Sequence, residues 1–572
     1  MIMKTVFHAL ILFSLFWAFH SELRAQAENV PAYHPVYTFL KRMEVKGCIE
    51  RYRDAILPLS RRQVGKFLRT VKAHTEKLTA AECGWLHDFL SEFRFDIDGT
   101  TEGFHSLFSS EQPTFLRSLG EELTDREKYF FVHTDSGVTF FFNGLFDIGY
   151  HAISGTALGS TSSKYLQFGG RFRGTLFNRL GYYLQGTNAQ FWGSRDLLAR
   201  DPQIGQSHAL YTTDANNFDF AEGYVRFDAG LVSAQLGRER LLWGNGYDQK
   251  MIVSDNVRVF DFVRADFEYK ALKYTFIHAS LLGSRSLLTF RLPFDTAATF
   301  YEPAIADKYF AAHRLSLSFP ALFEIGFQEM YIYSNRSPDL GYLNPFIVFE
   351  SLQRSRGERD NGLWAFDIKT SFLKGVQLTA TMLYDDIHIP YLFTRRWFDK
   401  YAYQVGMIYT DPFDIADATL FVEYTHVEPY VFGHERSRDN QYTSGGIILG
   451  PRIGPNADSW YFRWDYLPAR NLFLSGRVTF ERKGENVYDS TGSFVRNVGG
   501  DFMIPHRETD PDTKRFLDGT RAETTRIQLV VTYEFINQMW LDGMFEYERS
   551  ERAASPVRDE NRTFVFRLRT VL

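Results

Sequence analysis

Polar and apolar residues alternate with a period of two over most of this chain. The final segment, TFVFRLRTVL, places Phe564, Phe566, Leu568, Thr570 and Leu572 on one face and Val565, Arg567, Arg569 and Val571 on the other. Successive side chains of a strand point to opposite faces, so this segment reads as a strand running to the last residue. Comparable segments recur from about residue 137 onward. They begin with Val138–Asp147 and Tyr165–Thr175, pass through Ala221–Ala229 and Ser459–Leu467, and end with Arg562–Leu572. They number about eighteen, an even count of the kind that single-chain antiparallel barrels have.

The gaps between these segments carry topology. After the second, fourth, sixth and eighth strands they are short: FNRL, Gly230, KAL and the Pro320–Ala321 pair. After odd-numbered strands most are long, as between Gln190 and Ala221 or between Glu481 and Glu523. Outer-membrane barrels have short periplasmic turns and long extracellular loops, so the alternation predicts that both termini lie on the periplasmic side. In SWYFRWDYL, Trp460, Phe462, Trp464 and Tyr466 form the expected lipid face, with Arg463 and Asp465 in the lumen. Val225 and Phe227 face outward in the same way, against inward Arg226 and Asp228. Lumenal charges of both signs predict a salt-bridged, constricted interior. Tyr331, Tyr333, Tyr401, Tyr403 and Trp460 lie at strand ends, where aromatic girdles meet lipid headgroups.

Before residue 96 the period changes to that of a helix. Val36, Phe39, Leu40 and Met43 repeat at i, i+3, i+4 and i+7, as do Val64, Phe67, Leu68 and Val71. Thr79 and Glu82 form a capping-box pair at the start of a third helical stretch. The extreme N-terminus has the form of a secretory signal: Lys4, an apolar run from Val6 to Phe19, and Ala25-Gln26-Ala27 as a small-x-small cleavage site. The expected organisation is a signal peptide over 1–27, with the mature chain starting at Glu28. A periplasmic helical domain over 28–95, a linker over 96–136 and an outer-membrane β-barrel over 137–572 then follow.

Composition agrees with a barrel. Aromatic residues make up 17% of the chain, with 55 Phe and 31 Tyr, although mean hydropathy is only −0.26. A wall that buries one side chain in two in lipid needs that combination. A net charge of −5 with no long basic tract offers no footprint for nucleic acid. Cys48 and Cys83 both fall in the helical region, where an oxidising envelope would let them form one disulfide or leave two thiols.

Enzyme motifs such as GxSxG, HExxH, a P-loop or zinc-spaced CxxC do not occur, and no cofactor is expected. The acidic stretch with Glu508, Asp510, Asp512 and Asp518 reads as a solvated loop in preference to a Ca²⁺ site. Loop aromatics point to binding. Trp243, Trp397 and Trp192 fall in expected outside loops, where indole faces could stack on sugar rings, although Trp192 also suits a girdle. Trp243 and Tyr247 are the expected stacking residues and Asn245 and Asp248 the hydroxyl contacts, with Arg396 and Trp397 as a second wall.

Several segments resemble one known family, the Wzi-type capsule assembly proteins. They are GRERLLWGNGYDQKMIVSDNVRVFDFVRADFEY, FQEMYIYSNRSPDLGYLNPF, DNGLWAFDIK with LYDDIHIP, and LGPRIGPNAD, in the family's order. The N-terminal HPVYTFLKRMEVKGCIE and LPLSRRQVGKFL resemble its helical region. Val257-Arg258-Val259 stand where the family has a proline pair, and Leu572 replaces the usual terminal aromatic. The resemblance implies an eighteen-stranded barrel with a periplasmic helical domain, binding surface or capsular polysaccharide in a lectin-like manner. It also implies contact with outer-membrane lipid and with the polysaccharide export machinery. The competing expectation is a substrate-selective porin, because barrels of this size can leave an aqueous lumen.

Overall fold

In the computed structural model the described residues are 26–108, 127–212, 214–292, 295–357, 359–370, 372–386, 389–435, 438–553 and 558–572. The apolar run and cleavage motif up to Ala25 lie outside them, as does 109–126 of the expected linker. The barrel is closed and its strands are antiparallel. In chain order they are β1 (Val138–Gly155), β2 (Gly159–Leu176), β3 (Leu180–Gly193), β4 (Asn217–Asp228), β5 (Val232–Glu239) and β6 (Phe260–Tyr269). Next come β7 (Leu272–Leu292), β8 (Asp295–Phe319), β9 (Phe323–Ser334), β10 (Asn361–Thr370), β11 (Val376–Asp385) and β12 (Lys400–Thr410). The last six are β13 (Ala418–Val427), β14 (Ala457–Ala469), β15 (Leu472–Glu485), β16 (Thr520–Ile536), β17 (Met539–Arg552) and β18 (Asp559–Val571). Each of the eighteen corresponds to one alternating segment of the sequence.

Closure is made by the terminal strand. β18 pairs with β1 from Asn561 opposite Gly155 to Val571 opposite Leu145, and Leu572 N donates to Gly144 O at 2.9 Å. The N-terminal part of β1 pairs instead with a short strand, Phe131–Asp135, so the end of the expected linker is built into the sheet edge. Faces follow the alternation. Trp460 and Val225 are exposed on the outer wall, 45% and 47%, whereas Arg226, Asp228 and Asp465 are buried inside. Arg226 pairs with Asp228 at 2.9 Å and Arg463 with Asp465 at 2.8 Å.

The short connections are tight turns. Between β2 and β3, Phe177 and Asn178 both take positive φ, 53° and 57°, as a primed hairpin turn requires. Three odd-numbered connections are short. β1 and β2 meet across Thr156–Leu158, β7 and β8 continue as one long hairpin past Leu282, and only residues 553–558 separate β17 from β18. The remaining odd-numbered connections are long loops gathered at the opposite end from the short turns.

The helical domain comprises α1 (Val36–Val45), α2 (Arg61–Lys72), α3 (Ala80–Glu92) and α4 (Arg94–Asp98). Ser60 with Gln63 and Thr79 with Glu82 form reciprocal capping boxes that start α2 and α3. The apolar stripes Val36, Phe39, Leu40, Met43 and Val64, Leu68, Val71 meet in one buried core. Polar contacts then hold the domain against the short-turn end of the barrel. Arg42 bonds Asp411 in the turn after β12, Arg53 pairs with Glu268 at 2.8 Å, and Arg470 Nε donates to Asp88 at 2.9 Å. Trp85 stacks on Phe473 at the same mouth.

Cys48 and Cys83 are free thiols, not a disulfide. Cys48 is buried in the domain core, and burial pushes its thiol pKa up. The buried line of α3 runs through Glu82, Leu86 and Phe89, so Cys83 is turned off it and stays half-exposed.

Candidate functional site at the long-loop end

The lumen decides what the barrel can do. The loop between β5 and β6 does not project outward; it folds into the barrel. Leu241, Trp243, Met251, Ile252, Val253 and Val257 bury themselves against inward-facing Phe262, Ile277, Phe310, Met330 and Leu363. The loop between β13 and β14 joins them through Val431, Phe432, Tyr442 and Leu449. The result is a hydrophobic core inside a membrane barrel, so this part of the interior is packed and not water-filled. Along β16–β18 the inner wall is charged instead, with Arg526 paired to Glu548 at 3.0 Å and Arg567 to Asp147 at 2.8 Å.

This infolding relocates four residues expected on the outside. Trp243 is 0% exposed, its indole N–H donating to Gln328 Oε1 at 2.6 Å. Asn245 donates to Asp367 at 3.0 Å, and the Tyr247 backbone N–H bonds Glu423 while its ring meets Phe421 edge-on. Asp248 pairs with Arg452 at 2.6 Å. In this structure none of the four forms a surface contact wall. The physical reason is the apolar density of the loop, which inward-facing apolar strand residues match.

Arg396 and Trp397 do lie at the long-loop end, in the connection from β11 to β12. Trp397 stacks parallel on His506, centroids 4.0 Å apart and planes 2° apart, and Tyr430 packs edge-on against both. Tyr391 and Phe393 are exposed beside them. The loop from β15 to β16 supplies His506, Arg507 and Glu508. Three loops therefore build one aromatic surface rimmed by exposed Arg395, Arg396, Arg507 and Glu508. Such a surface offers flat apolar faces for ring stacking beside charged hydrogen-bonding groups.

Ion pairs fix this surface. Asp510 accepts from Arg507 and, at 2.8 Å, from Asn497; burial raises its pKa, and these partners outweigh burial and hold it low. Arg496 pairs with Asp518 at 2.7 Å and holds that carboxyl low. Asp512 lies 3.6 Å from Arg396. The acidic stretch is thus ordered by arginines, and among the described residues there is no group of His, Cys, Asp and Glu that could hold a metal ion. His506 and Tyr430 went unnoticed in the sequence because neither lies near Trp397 in the chain.

Two other aromatic expectations separate. Trp192 is 49% exposed on the outer wall at the end of β3, as a girdle residue would be. Tyr331 and Tyr333 are buried, because the loop after β9 folds back over the outside of the wall. Tyr333 stacks on Tyr342, and Tyr331 donates to Glu350 at 2.6 Å.

The family model described as capsule assembly protein Wzi matches residues 150–561, most of the chain. The chain belongs to the Wzi capsule assembly protein family. Among solved structures it is similar to Wzi of Escherichia coli, described as an outer membrane protein involved in group 1 capsule assembly and a carbohydrate-binding β-barrel. The identity is 13% and the TM-score 0.55, over 94% of this chain and 99% of that one, a likeness of fold. A BenF-like porin from Pseudomonas fluorescens matches with 12% identity and a TM-score of 0.43, over 76% of this chain and 99% of that one. OprD of Pseudomonas aeruginosa matches with 8% identity and a TM-score of 0.40, over 75% and 92%. No curated protein matches by sequence. With the Wzi fold on this chain, it is an outer-membrane β-barrel.

Proposed function

We propose that this protein binds exported capsular or other surface polysaccharide at its long-loop end and holds it to the outer membrane, as a lectin would. The observation that carries the reading is the stacked Trp397–His506 pair with its arginine rim, presented above a lumen that is packed and not open. Membership of the Wzi family supports it, and so does the carbohydrate binding described for the Escherichia coli protein. The role is binding and not catalysis. The long-loop end faces the exterior, which puts the short turns, the helical domain and both termini in the periplasm. There the exposed side of the helical domain is available to the export machinery.

A substrate-selective porin would need a continuous aqueous path, and the core around Trp243 and Tyr442 opposes one. The test is loss of the gene followed by measurement of cell-bound and released polysaccharide. Release of normally synthesised polysaccharide supports the proposal. Unchanged retention with loss of small-solute uptake would favour the porin.

A further inference from the structure

We propose that the loop between β9 and β10 re-enters the membrane as a flap on the outer wall, its exposed face held against the acyl chains of outer-membrane lipid. Met330 and Ile332 point inward into the core around the plug, so Glu329, Tyr331 and Tyr333 between them point outward. A lipid-facing wall should be apolar at such positions. Glu329 lies six residues along β9 from Phe323 at the short-turn end. At ~3.3 Å per residue and a tilt of ~40°, that is roughly 15 Å along the barrel axis, well inside an apolar band about 25 Å tall. A carboxylate at that depth needs partners and a cover.

The flap supplies both. Glu329 accepts from the backbone N–H of Phe349 at 2.9 Å and of Glu350 at 2.7 Å, and His313 Nε2 on β8 lies 2.9 Å from it. The Tyr333 hydroxyl sits 2.7 Å from His278 Nε2 on β7 and accepts from Asp339 N at 3.1 Å. Tyr342, Phe349 and Leu352 close over these groups in one cluster with Phe276 and Ala311 of the wall. The polar outward positions of β9 are thereby buried.

The flap's own backbone is built for a dry surrounding, where polar groups must be satisfied within the protein. Gly341 N donates to Asp339 Oδ1 at 2.8 Å, Leu343 N to Asp339 O at 3.1 Å, and Asn344 N to Gly341 O at 3.2 Å. Phe346 N donates to Asn344 Oδ1 at 3.1 Å, and the Pro345 carbonyl accepts from the Tyr274 hydroxyl. Pro338 and Pro345 have no N–H to satisfy. What the tip turns outward is apolar: Phe346 is 88% exposed and Val348 59%. Both continue the surface made by exposed Leu315, Ile325 and Phe366 on the strands beneath. The charges gather at the other end, where Arg354 pairs with Glu350 at 2.9 Å and Arg356 with Asp339 at 3.1 Å. An apolar tip at mid-depth and arginines near the long-loop end is the polarity of a segment inserted from the headgroup side.

The experiment is a spin label at Phe346→Cys, in protein that also carries Cys83→Ser, reconstituted in phospholipid bilayers. Oxygen, which concentrates in hydrocarbon, and a water-soluble nickel chelate serve as collision probes. Labels at Leu315→Cys on the outer wall and at Tyr488→Cys in the loop after β15 give the lipid and water references. The expected result is the oxygen-rich value of the Leu315→Cys label, at Phe346→Cys and at Val348→Cys alike, with the heat-modified gel shift of a folded barrel retained. Nickel access equal to that of the Tyr488→Cys label would put the flap in water and overturn the proposal. Exclusion of both probes would put a second copy of the protein on this face, and would overturn it too. Adding Glu329→Ala to the Phe346→Cys protein removes the acceptor of two flap amides, so the label should lose its oxygen-rich value. An unchanged value would overturn Glu329 as the anchor of the flap.

Discussion

Ile56 and Trp243 lie opposite each other in a two-residue antiparallel pairing inside the barrel mouth. One belongs to the helical domain and the other to the infolded loop after β5, and Gly244 N donates to Ala55 O at 2.8 Å beside them. The domain that covers the short-turn end and the plug that fills the lumen are thereby a single packed body. Trp243 continues the contact inward, edge-on to Phe310, which meets Tyr442 in the same way.

Trp243→Ala should therefore act on stability. Truncating a fully buried tryptophan costs about 3–5 kcal/mol. Trp243→Phe keeps most of the volume and loses the bond to Gln328, about 1–3 kcal/mol for the amide left unpaired. Urea unfolding of the reconstituted barrel should order the variants wild type, Phe, Ala. Equal midpoints for wild type and Ala would show that the plug does not depend on this side chain.

A packed lumen also has an electrical signature. In planar bilayers the wild-type protein should show no steady single-channel steps. Replacing residues 241–253 by a glycine–serine linker should produce them while the heat-modified gel shift of a folded barrel remains. Wild-type steps of porin size would remove the argument against transport.

The strands and one of the two capping pairs were legible from the sequence because each rests on local information: a period of two, or Thr79 three residues before Glu82. The direction taken by a long loop is not local. Leu241, Trp243, Met251, Ile252 and Val253 look like an aromatic-rich outside loop until inward-facing Ile277, Phe310 and Met330 are seen as their partners. Inward apolar residues on β6–β10 were the available signal, since a water-filled lumen would have no use for them. Trp397 was found without His506, because a stack between residues more than a hundred positions apart leaves no trace in spacing.

The fold of the helical domain and its docking should depend on pH in a defined direction. Burial pushes the Glu92 carboxyl up, but His34 at 3.2 Å, with Arg61 and Arg173, brings it down to about 2. Burial also raises Asp411, and Arg42 with Lys46 outweighs it, leaving the carboxyl below its ordinary value. Both folded values lie below the unfolded ones, so the stabilisation is present above about pH 4 and is lost as pH falls through the lower folded values. Limited proteolysis should find the domain protected at neutral pH and released between about pH 4 and pH 2. Protection unchanged down to about pH 2 would contradict this assignment.

Thiol chemistry separates the two cysteines. In the folded, unreduced protein, Cys83 should react with an alkylating reagent while Cys48, buried and with its pKa raised by burial, stays protected until unfolding. A linked pair of peptides in unreduced digests would contradict the free thiols.

The glycan surface can be distinguished from the plug by a pair of variants. Trp397 is half-exposed at the long-loop end, stacked on His506, whereas Trp243 is fully enclosed, so of the two only the first is within reach of a polymer arriving from the exterior. Removing an aromatic anchor from a binding site costs about 2 kcal/mol or more, roughly a thirtyfold loss of affinity. Trp397→Ala should weaken binding of purified surface polysaccharide by that order while leaving the unfolding midpoint close to wild type. Arg396→Ala should weaken it less, because Arg396 lies on the rim and already shares Asp512. Trp243→Ala should do the opposite, lowering the midpoint and leaving affinity near wild type in the fraction that stays folded. Titration calorimetry alongside urea unfolding separates the outcomes. Affinity lost with Trp243→Ala and kept with Trp397→Ala would move the binding site from the loops into the barrel.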